Sequence, residues 1–388
     1  MRIAVMLRTL EEKGGIGVYS RNLVETLLDL DGRNHYDLMY SSASQLGRYA
    51  HRPNVTELVL ESRSKALWDQ VEVPRACRTL RPDVLLHPKF TVPLLTRVPA
   101  VMVLHGADWF LPDAAQFYGR LDRAYMRVFM PLYLRKARVA ISVSQLTTND
   151  FERIFTLPPN KVRTVYFGPA RHFRRVTDPA ALDAVRQKYG LPERYLLTLS
   201  RVGGNSERKN IRGVLDAYAR LHAEIPHKLV VGGLDCVRFR DEYQIPDTGW
   251  GRDVIFPGWL DQADLPAIYS ASELYLYPSN QEAFPIPLTE AMACGTPIVT
   301  SRANGLAEIA GPAALQVNPK DPEEIAGAVR QILGDPLVRA RLVEAGIERS
   351  RIFSWEACAR RTLEILTEVG AGVSAGAGAR AATPGRSA

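Results

Sequence analysis

Cysteine is scarce in this chain of 388 residues: Cys77, Cys236, Cys294 and Cys358 are the whole supply. None has metal-ligand or redox spacing, which excludes a disulfide scaffold and a Cys-rich zinc centre. The four read as reduced, mostly buried thiols of a cytosolic protein. No apolar run approaches the ~18–20 residues of a membrane span. The opening MRIAVMLRTLEEKGG has too short an apolar core for a secretory leader and reads as a first strand. Nucleic-acid signatures are missing too: there is no zinc finger, RNA-binding motif or basic run, although charge alone would permit such a partner. What is present is ordinary globular composition, 46% hydrophobic and 23% charged, with a net charge of +7. The length suits two or three domains with full cores. The positive balance suits anionic small molecules or an anionic membrane surface.

Short apolar runs alternate with helical patterns along the chain. Strands are expected at 2–7, 36–41, 54–60, 83–87, 99–104, 137–144 and 162–166, then at 195–200, 228–233, 253–257, 273–278, 298–300 and 313–317. Helices are expected between them, including 66–80, 119–138, 145–154, 179–189, 211–225, 322–333 and 336–350. Strand–helix alternation of this kind builds parallel sheets covered on both faces, so the class is α/β. The Ala/Gly-rich end from 370 to 388 reads as disordered.

Four stretches carry chemistry. In SNQEAFPIPLTEAMACGTPIVTS, residues 279–301, Glu282 lies in a Pro-rich loop and Glu290 in the first turn of a short helix that stops at Gly295. A helix N-terminus favours an anion such as a diphosphate. Acceptor-only carboxylates beside it suit the hydroxyls of a ribose and a hexose. On residue type alone, Glu290 also reads as a dipole-compensating acid and Glu282 as a solvated loop residue. Between a strand and a helix, Arg201 and Lys209 flank a glycine-containing loop; they can neutralise a diphosphate, or be solvated. Near the start, Gly14, Gly15 and Gly17 stand between strand and helix, a weak phosphate-binding signal. His105 ends a buried strand, where open α/β sheets bind ligands or where a histidine simply closes a hydrogen bond. Residues 119–138 mix arginines with aromatic and aliphatic side chains. They read as a helix packed on the sheet, with Pro131 interrupting its face, or as a membrane-surface helix.

The 279–301 stretch resembles the Glu, seven residues, Glu signature of the retaining GT-B glycosyltransferases of family 4 (glycosyl transferases group 1). Glu282, Phe284, Pro287, Glu290, Ala291, Met292, Ala293, Gly295 and Pro297 match, while Ala283 and Pro285 replace usual glycines. Arg201, Lys209 and Asn210 match the family's Arg/Lys loop, with Arg208 a stand-in. The early glycine loop and the final Phe353-Ser354-Trp355 helix also match, so the resemblance runs from about 2 to 369.

It implies a GT-B fold: two Rossmann-like doubly wound domains facing across a cleft. These would be residues 1–175, rejoined by a helix at 354–369, and residues 176–353. It implies transfer of a hexose, with a lean to mannose, from a nucleoside-diphosphate sugar to a saccharide or lipid-linked acceptor, with retention and without a metal or other cofactor. Arg201, Lys209, Glu282 and His105 would be catalytic. Gly15, Gly17, Glu290, Gly258, Trp259, Phe284 and Ile286 would bind the donor. The setting would be cytoplasmic, at the inner membrane face, in surface polysaccharide synthesis. Alternatives within the fold are a sugar-nucleotide epimerase, a phosphorylase (which needs a pyridoxal lysine and a longer chain), and a non-catalytic binding protein, which Ala283 and Pro285 would favour.

Overall fold

A computed structural model describes residues 1–12, 14–200 and 207–381. Its chain divides into two units: Met1–Phe167 joined by the segment from Trp355 onward, and Gly168–Ser354.

The first unit holds seven strands: β1 (Arg2–Met6), β2 (His35–Tyr40), β3 (Val55–Val59), β4 (Val84–His87), β5 (Ala100–Leu104), β6 (Val139–Ser142) and β7 (Val162–Thr164). They lie parallel in the order β3-β2-β1-β4-β5-β6-β7. Strands such as Ile3–Met6 are apolar without alternation because helices cover both sheet faces, and these four residues are fully buried. The strand order reverses between β1 and β4, so the carboxyl ends of those two strands frame a crevice.

Helix α1 (Gly15–Leu30) follows β1. The helix expected over 66–80 forms with a change of pitch, α-helical at Lys65–Leu67, π-helical at Trp68–Glu72 and α-helical again at Val73–Leu80. Pro74 has no N–H to give Gln70, and the ladder widens just before it. Helix α2 (Arg120–Lys136) forms over the expected stretch and runs through Pro131. Met126 and Met130 before the proline and Tyr133 and Leu134 after it are all buried in one core, which holds both halves in line.

The last helix, Trp355–Ala381, belongs to this unit. Trp355 packs on Phe167 and Tyr19, with ring centroids 4.9 and 5.5 Å apart, and Arg163 grips Glu368 with two nitrogens at 2.5 and 2.7 Å. The helix continues from 370 to 381, within the stretch read as disordered.

The second unit has six parallel strands: β8 (Tyr195–Leu199), β9 (Lys228–Gly232), β10 (Val254–Ile255), β11 (Leu274–Tyr277), β12 (Ile298–Ser301) and β13 (Leu315–Val317). Their order is β10-β9-β8-β11-β12-β13, with the reversal between β8 and β11. Helix α3 (Ile211–Leu221) follows β8, and α4 (Ile286–Ala293) joins β11 to β12. Residues 168–175, read from the sequence as part of the first domain, lie in this unit. Phe173 is buried against Tyr269 at 6.3 Å, and the Val176 amide donates to Ser270 Oγ at 3.0 Å.

Two α/β units with parallel, Rossmann-like sheets are the GT-B plan that the resemblance implied. All four cysteines are free and buried. No helix among the described residues is long and apolar enough to cross a membrane.

Candidate functional site

In the second unit the loops leaving β8 and β11 meet at the strand-order reversal, where a doubly wound sheet opens a crevice. They are stitched together by backbone and side chain. The Asn280 amide donates to the Arg208 carbonyl at 2.9 Å, and the Asn280 side chain donates to the Glu207 carbonyl at 2.9 Å. Asn210, in left-handed backbone, caps α3 by accepting from the Gly213 N–H at 3.2 Å. Its amide nitrogen donates to Pro278 and Pro319 carbonyls at 2.9 and 2.7 Å.

That stitching brings Lys209 and Glu282 together. Lys209 Nζ donates to Glu282 Oε1 and to the Tyr277 hydroxyl, and lies 4.9 Å from the Tyr277 ring centroid. The Tyr277 hydroxyl in turn donates to Glu282 Oε1 at 3.0 Å, and Arg208 reaches Glu282 Oε2 at 3.2 Å. Glu282 and Tyr277 are buried, with Lys209 and Arg208 half-buried beside them. Burial pushes the Glu282 carboxyl up, but the charges of Arg208 and Lys209 and the hydrogen bonds outweigh it, and its pKa falls below the ordinary value. Burial lowers the Lys209 ammonium, an effect Glu282 partly offsets. Glu282 is thus no solvated loop residue. Arg201, its expected companion, lies outside the described residues.

Glu290 sits differently from its expected place. Helix α4 starts at Ile286, which puts Glu290 in its second turn. The carboxylate is buried, accepts from the Tyr269 hydroxyl at 3.2 Å, and is pushed up to about 7 by burial, which that bond only partly offsets. Tyr269, Tyr275 and Tyr277 pack in series with centroids 5.2 and 5.5 Å apart, and so link the surroundings of Glu290 to those of Glu282.

The sign of the Glu290 shift gives a prediction. The unfolded carboxyl titrates near ~4.3, so the fold loses stability as pH rises from there to about 7. Glu290→Gln has no such loss. It should gain on the wild type between pH 5 and 8 by up to about 3 kcal/mol, read from melting curves at both values. Parallel pH dependence of the two proteins would mean that Glu290 is charged throughout.

The helix N-terminus is a poorer anion site than its position suggested. Pro285, at the N-cap, and Pro287 bring no N–H, and the Leu288 amide is taken by the Pro285 carbonyl at 3.0 Å. Phe284 is buried against Phe353 at 5.8 Å, and Ile286 is half-buried. At the other edge of the sheet, Gly258 has a φ of +83° and its carbonyl accepts from the Gly233 amide at 3.0 Å. Trp259 beside it is 57% exposed, an indole face open to a flat partner.

The first unit places its own set at the β1/β4 reversal. Gly15 begins α1 and is exposed, with open space where a side chain would be. Gly17 is buried, and a Cβ there would stand 2.0 Å from the Glu12 carbonyl oxygen, so its lack of side chain serves the turn itself. His105 Nε2 donates to the Pro88 carbonyl at 2.9 Å and its ring meets Tyr19 edge-on at 4.9 Å. Burial lowers its pKa to about 4, so the ring is neutral and Nδ1 is an acceptor. Asp108, three residues further on, accepts from the Tyr118 hydroxyl at 3.0 Å.

Several contributors escaped sequence reading. Tyr277 and Tyr269 look like core residues of a buried strand and helix; only the adjacent carboxylates reveal their hydroxyls. Gly305 donates to the Glu282 carbonyl at 2.9 Å, and a Cβ there would meet the Ala283 carbonyl oxygen at 2.3 Å. It lies in the helix Asn304–Ala310, hidden because Asn-Gly reads as a turn. Arg8, Glu12, Asp69, His87 and Lys89 form a polar group in the first unit, with Asp69 and His87 buried. Arg8 pairs with Asp69 through two bonds of 2.7 and 3.0 Å, and Lys89 with Glu12 at 2.6 Å.

Two family models match the chain: Glycosyltransferase Family 4 over residues 13–168, and Glycosyl transferases group 1 over residues 183–349. The O-antigen chain mannosyltransferase B of Escherichia coli is 29% identical over 373 residues, covering 90% of this chain and 94% of that protein. A serotype-specific mannosyltransferase, WbdA, of Escherichia coli is 27% identical over 244 residues; the match spans 60% of this chain and 29% of that longer protein. Among solved structures, HepE from Anabaena, in complex with UDP and glucose, superposes with a TM-score of 0.74 over 95% of this chain and 100% of its own at 20% identity, a likeness of fold.

Proposed function

The chain belongs to family 4 of the glycosyltransferases, the glycosyl transferases group 1, and from that membership we propose that it moves a hexose, mannose by preference, from a nucleoside-diphosphate sugar to a saccharide or lipid-linked acceptor. The observation that carries this reading is the Lys209–Tyr277–Glu282–Arg208 group at the β8/β11 reversal, built around a buried carboxylate. A fixed cation beside a fixed carboxylate suits a substrate with a diphosphate next to a ring of hydroxyls. Mannose follows the mannosyltransferase relatives, and the O-antigen relative supports a place in surface polysaccharide synthesis.

The roles follow from charge and position. Lys209, with Arg201, meets the charge growing on the diphosphate as the anomeric C–O bond breaks; that interaction strengthens toward the transition state and so accelerates the step. Glu282 keeps lone pairs for sugar hydroxyls beyond those its cations use, and its charge favours oxocarbenium character. Glu290 accepts from the ribose. Neutral His105 accepts a sugar hydroxyl at Nδ1. Gly15 and Gly17 keep the turn before α1 slim for the phosphates. Trp259 and Gly258 take the nucleobase, with Phe284 and Ile286 lining the donor loop. Side-chain cations carry the charge on the diphosphate, without a resident metal or other cofactor. The acceptor attacks the face the diphosphate leaves, giving retention.

The test is thermal shift with UDP-, GDP-, ADP- and TDP-sugars beside the free nucleotides. At ~100 times its dissociation constant a donor should stabilise by ~2.7 kcal/mol. A shift with one base family is the expected result, and no shift with any of them would overturn donor binding. The anomeric configuration of a transfer product, read by NMR, tests retention separately.

A further inference from the structure

Helix α5 (Pro336–Ser350) of the second unit buries only Leu342 and Gly346 in full. Its inner side lies on α4, where a Cβ at Gly346 would stand 3.6 Å from the Met292 Cα. Its outer side leaves Leu337 81% exposed, and Ile352 just past its end is 58% exposed. Between them Pro336, Ala340, Val343 and Ile347 line a groove of about 720 Å³. These four recur at i, i+4, i+7 and i+11, which is a single line along a helix ~22 Å long.

Charge on this side is sorted along the helix. Arg341 stands in the first half, Glu344 and Glu348 in the second, and none of the three enters an ion pair among the described residues. The two glutamates are at i, i+4, where like charges repel, so a cation from outside the helix is favoured there. Their own neighbours do not supply it. Arg349 turns inward to the Glu308 and Ile309 carbonyls, and Arg339 is taken by Glu273.

We propose that α5 pairs antiparallel with the α5 of a second copy of this chain, about a two-fold axis near Val343 and Glu344. At that register Ala340 faces the partner helix at its Ile347 position, small against large, and Arg341 comes between the two glutamates of the other copy. The two-fold repeats both contacts, as an isologous interface requires. Charge selects this occupant. An acidic peptide would meet Glu344 and Glu348, and a basic one Arg341, whereas an antiparallel copy sets each sign against the other. Gly295, which Ile347 approaches, precedes β12, so the contact lies toward the amino ends of the strands and leaves the crevice at their carboxyl ends open. A single pair of short helices buries an area at the low end for specific complexes, so monomer and dimer should exchange.

The test is sedimentation velocity of the full chain over about two decades of concentration. The expected result is a reversible monomer–dimer equilibrium. Glu344→Lys with Glu348→Lys, and separately Arg341→Glu, should each raise the dissociation constant at least about tenfold, because like charges then face each other. An equal mixture of the two variants should dimerise again, since each supplies the sign the other has lost; a variant that merely failed to fold could not do this. A monomer at every concentration would overturn the proposal. So would a dimer that neither variant weakens, which would place the contact on another face, or a mixture that stays monomeric. None of these residues has a part in donor binding, so thermal shift with sugar nucleotides should be the same for both variants and the wild type, and the two readings fail separately.

Discussion

Lys209→Ala should lower kcat for transfer about 100- to 1,000-fold, with donor hydrolysis falling in parallel, because in the proposed role the variant removes the half-buried cation that meets the leaving diphosphate. The size of the effect follows from what else is near. Pro285 and Pro287 bring no N–H to the start of α4, and the Leu288 amide is already engaged. In the proposed role, side-chain cations therefore carry much of the phosphate charge. Glu282 is buried, which strengthens its contacts with the two cations relative to water. Lys209 also holds Glu282 Oε1 together with Tyr277, so its loss loosens the carboxylate meant for the sugar. Lys209→Met keeps most of the stem and isolates the charge. The methionine variant should be nearly as slow as the alanine one, since packing is then intact. Steady-state rates with saturating donor check this, and a near-normal kcat in either variant would remove Lys209 from the chemistry.

How far the sequence foretold this arrangement depended on the kind of signal. Parallel strands buried on both faces leave continuous apolar runs, so Ile3–Met6 or Leu274–Tyr277 could be placed within a residue or two. The double-Glu stretch was visible because a fixed spacing coincided with a helix, a glycine stop and a strand; Gly295 does take left-handed backbone, with φ +69°. What the one-dimensional pattern could not show was partnership. Nothing in the spacing of Tyr277 and Lys209, 68 residues apart, says that one hydroxyl bridges the other's ammonium to Glu282. Helix register was blurred as well. Two prolines around Ile286 made the start of α4 ambiguous by a few residues, enough to move Glu290 from the first turn to the second and from a dipole-compensating acid to a buried carboxyl with a raised pKa. In 119–138 the reverse happened: proline, arginine and aromatics gave a mixed pattern, and only three-dimensional burial separated the core side of α2 from its exposed line.

Asp69 is the clearest residue of the kind sequence does not expose, and Asp69→Ala should be the most destabilising single change considered. Its carboxylate is buried in the π-helical turn Trp68–Glu72, held by Arg8 through two bonds and by the Thr91 hydroxyl at 2.7 Å. Burial pushes the carboxyl up, but the His87 and Arg8 charges and the hydrogen bonds prevail and hold it below the ordinary range. Its stabilisation is therefore present above ~3.9, the ordinary aspartate value, and is lost as pH falls through the lower folded value. Removing it at neutral pH leaves the Arg8 guanidinium, only 7% exposed, without its main partner. Breaking a buried pair from one side costs about 3–5 kcal/mol, which for a unit of this size lowers Tm by roughly 10 °C. Replacing both members with apolar residues of similar volume, Arg8→Met with Asp69→Leu, should recover much of the loss, because the orphaned charge disappears with its partner. Melting curves of the wild type, the single variant and the double variant decide the matter. An Asp69→Ala protein as stable as the wild type would show that water reaches Arg8 and screens it. A double variant no better than the single would place the cost in lost packing around the π turn, not in the uncompensated charge.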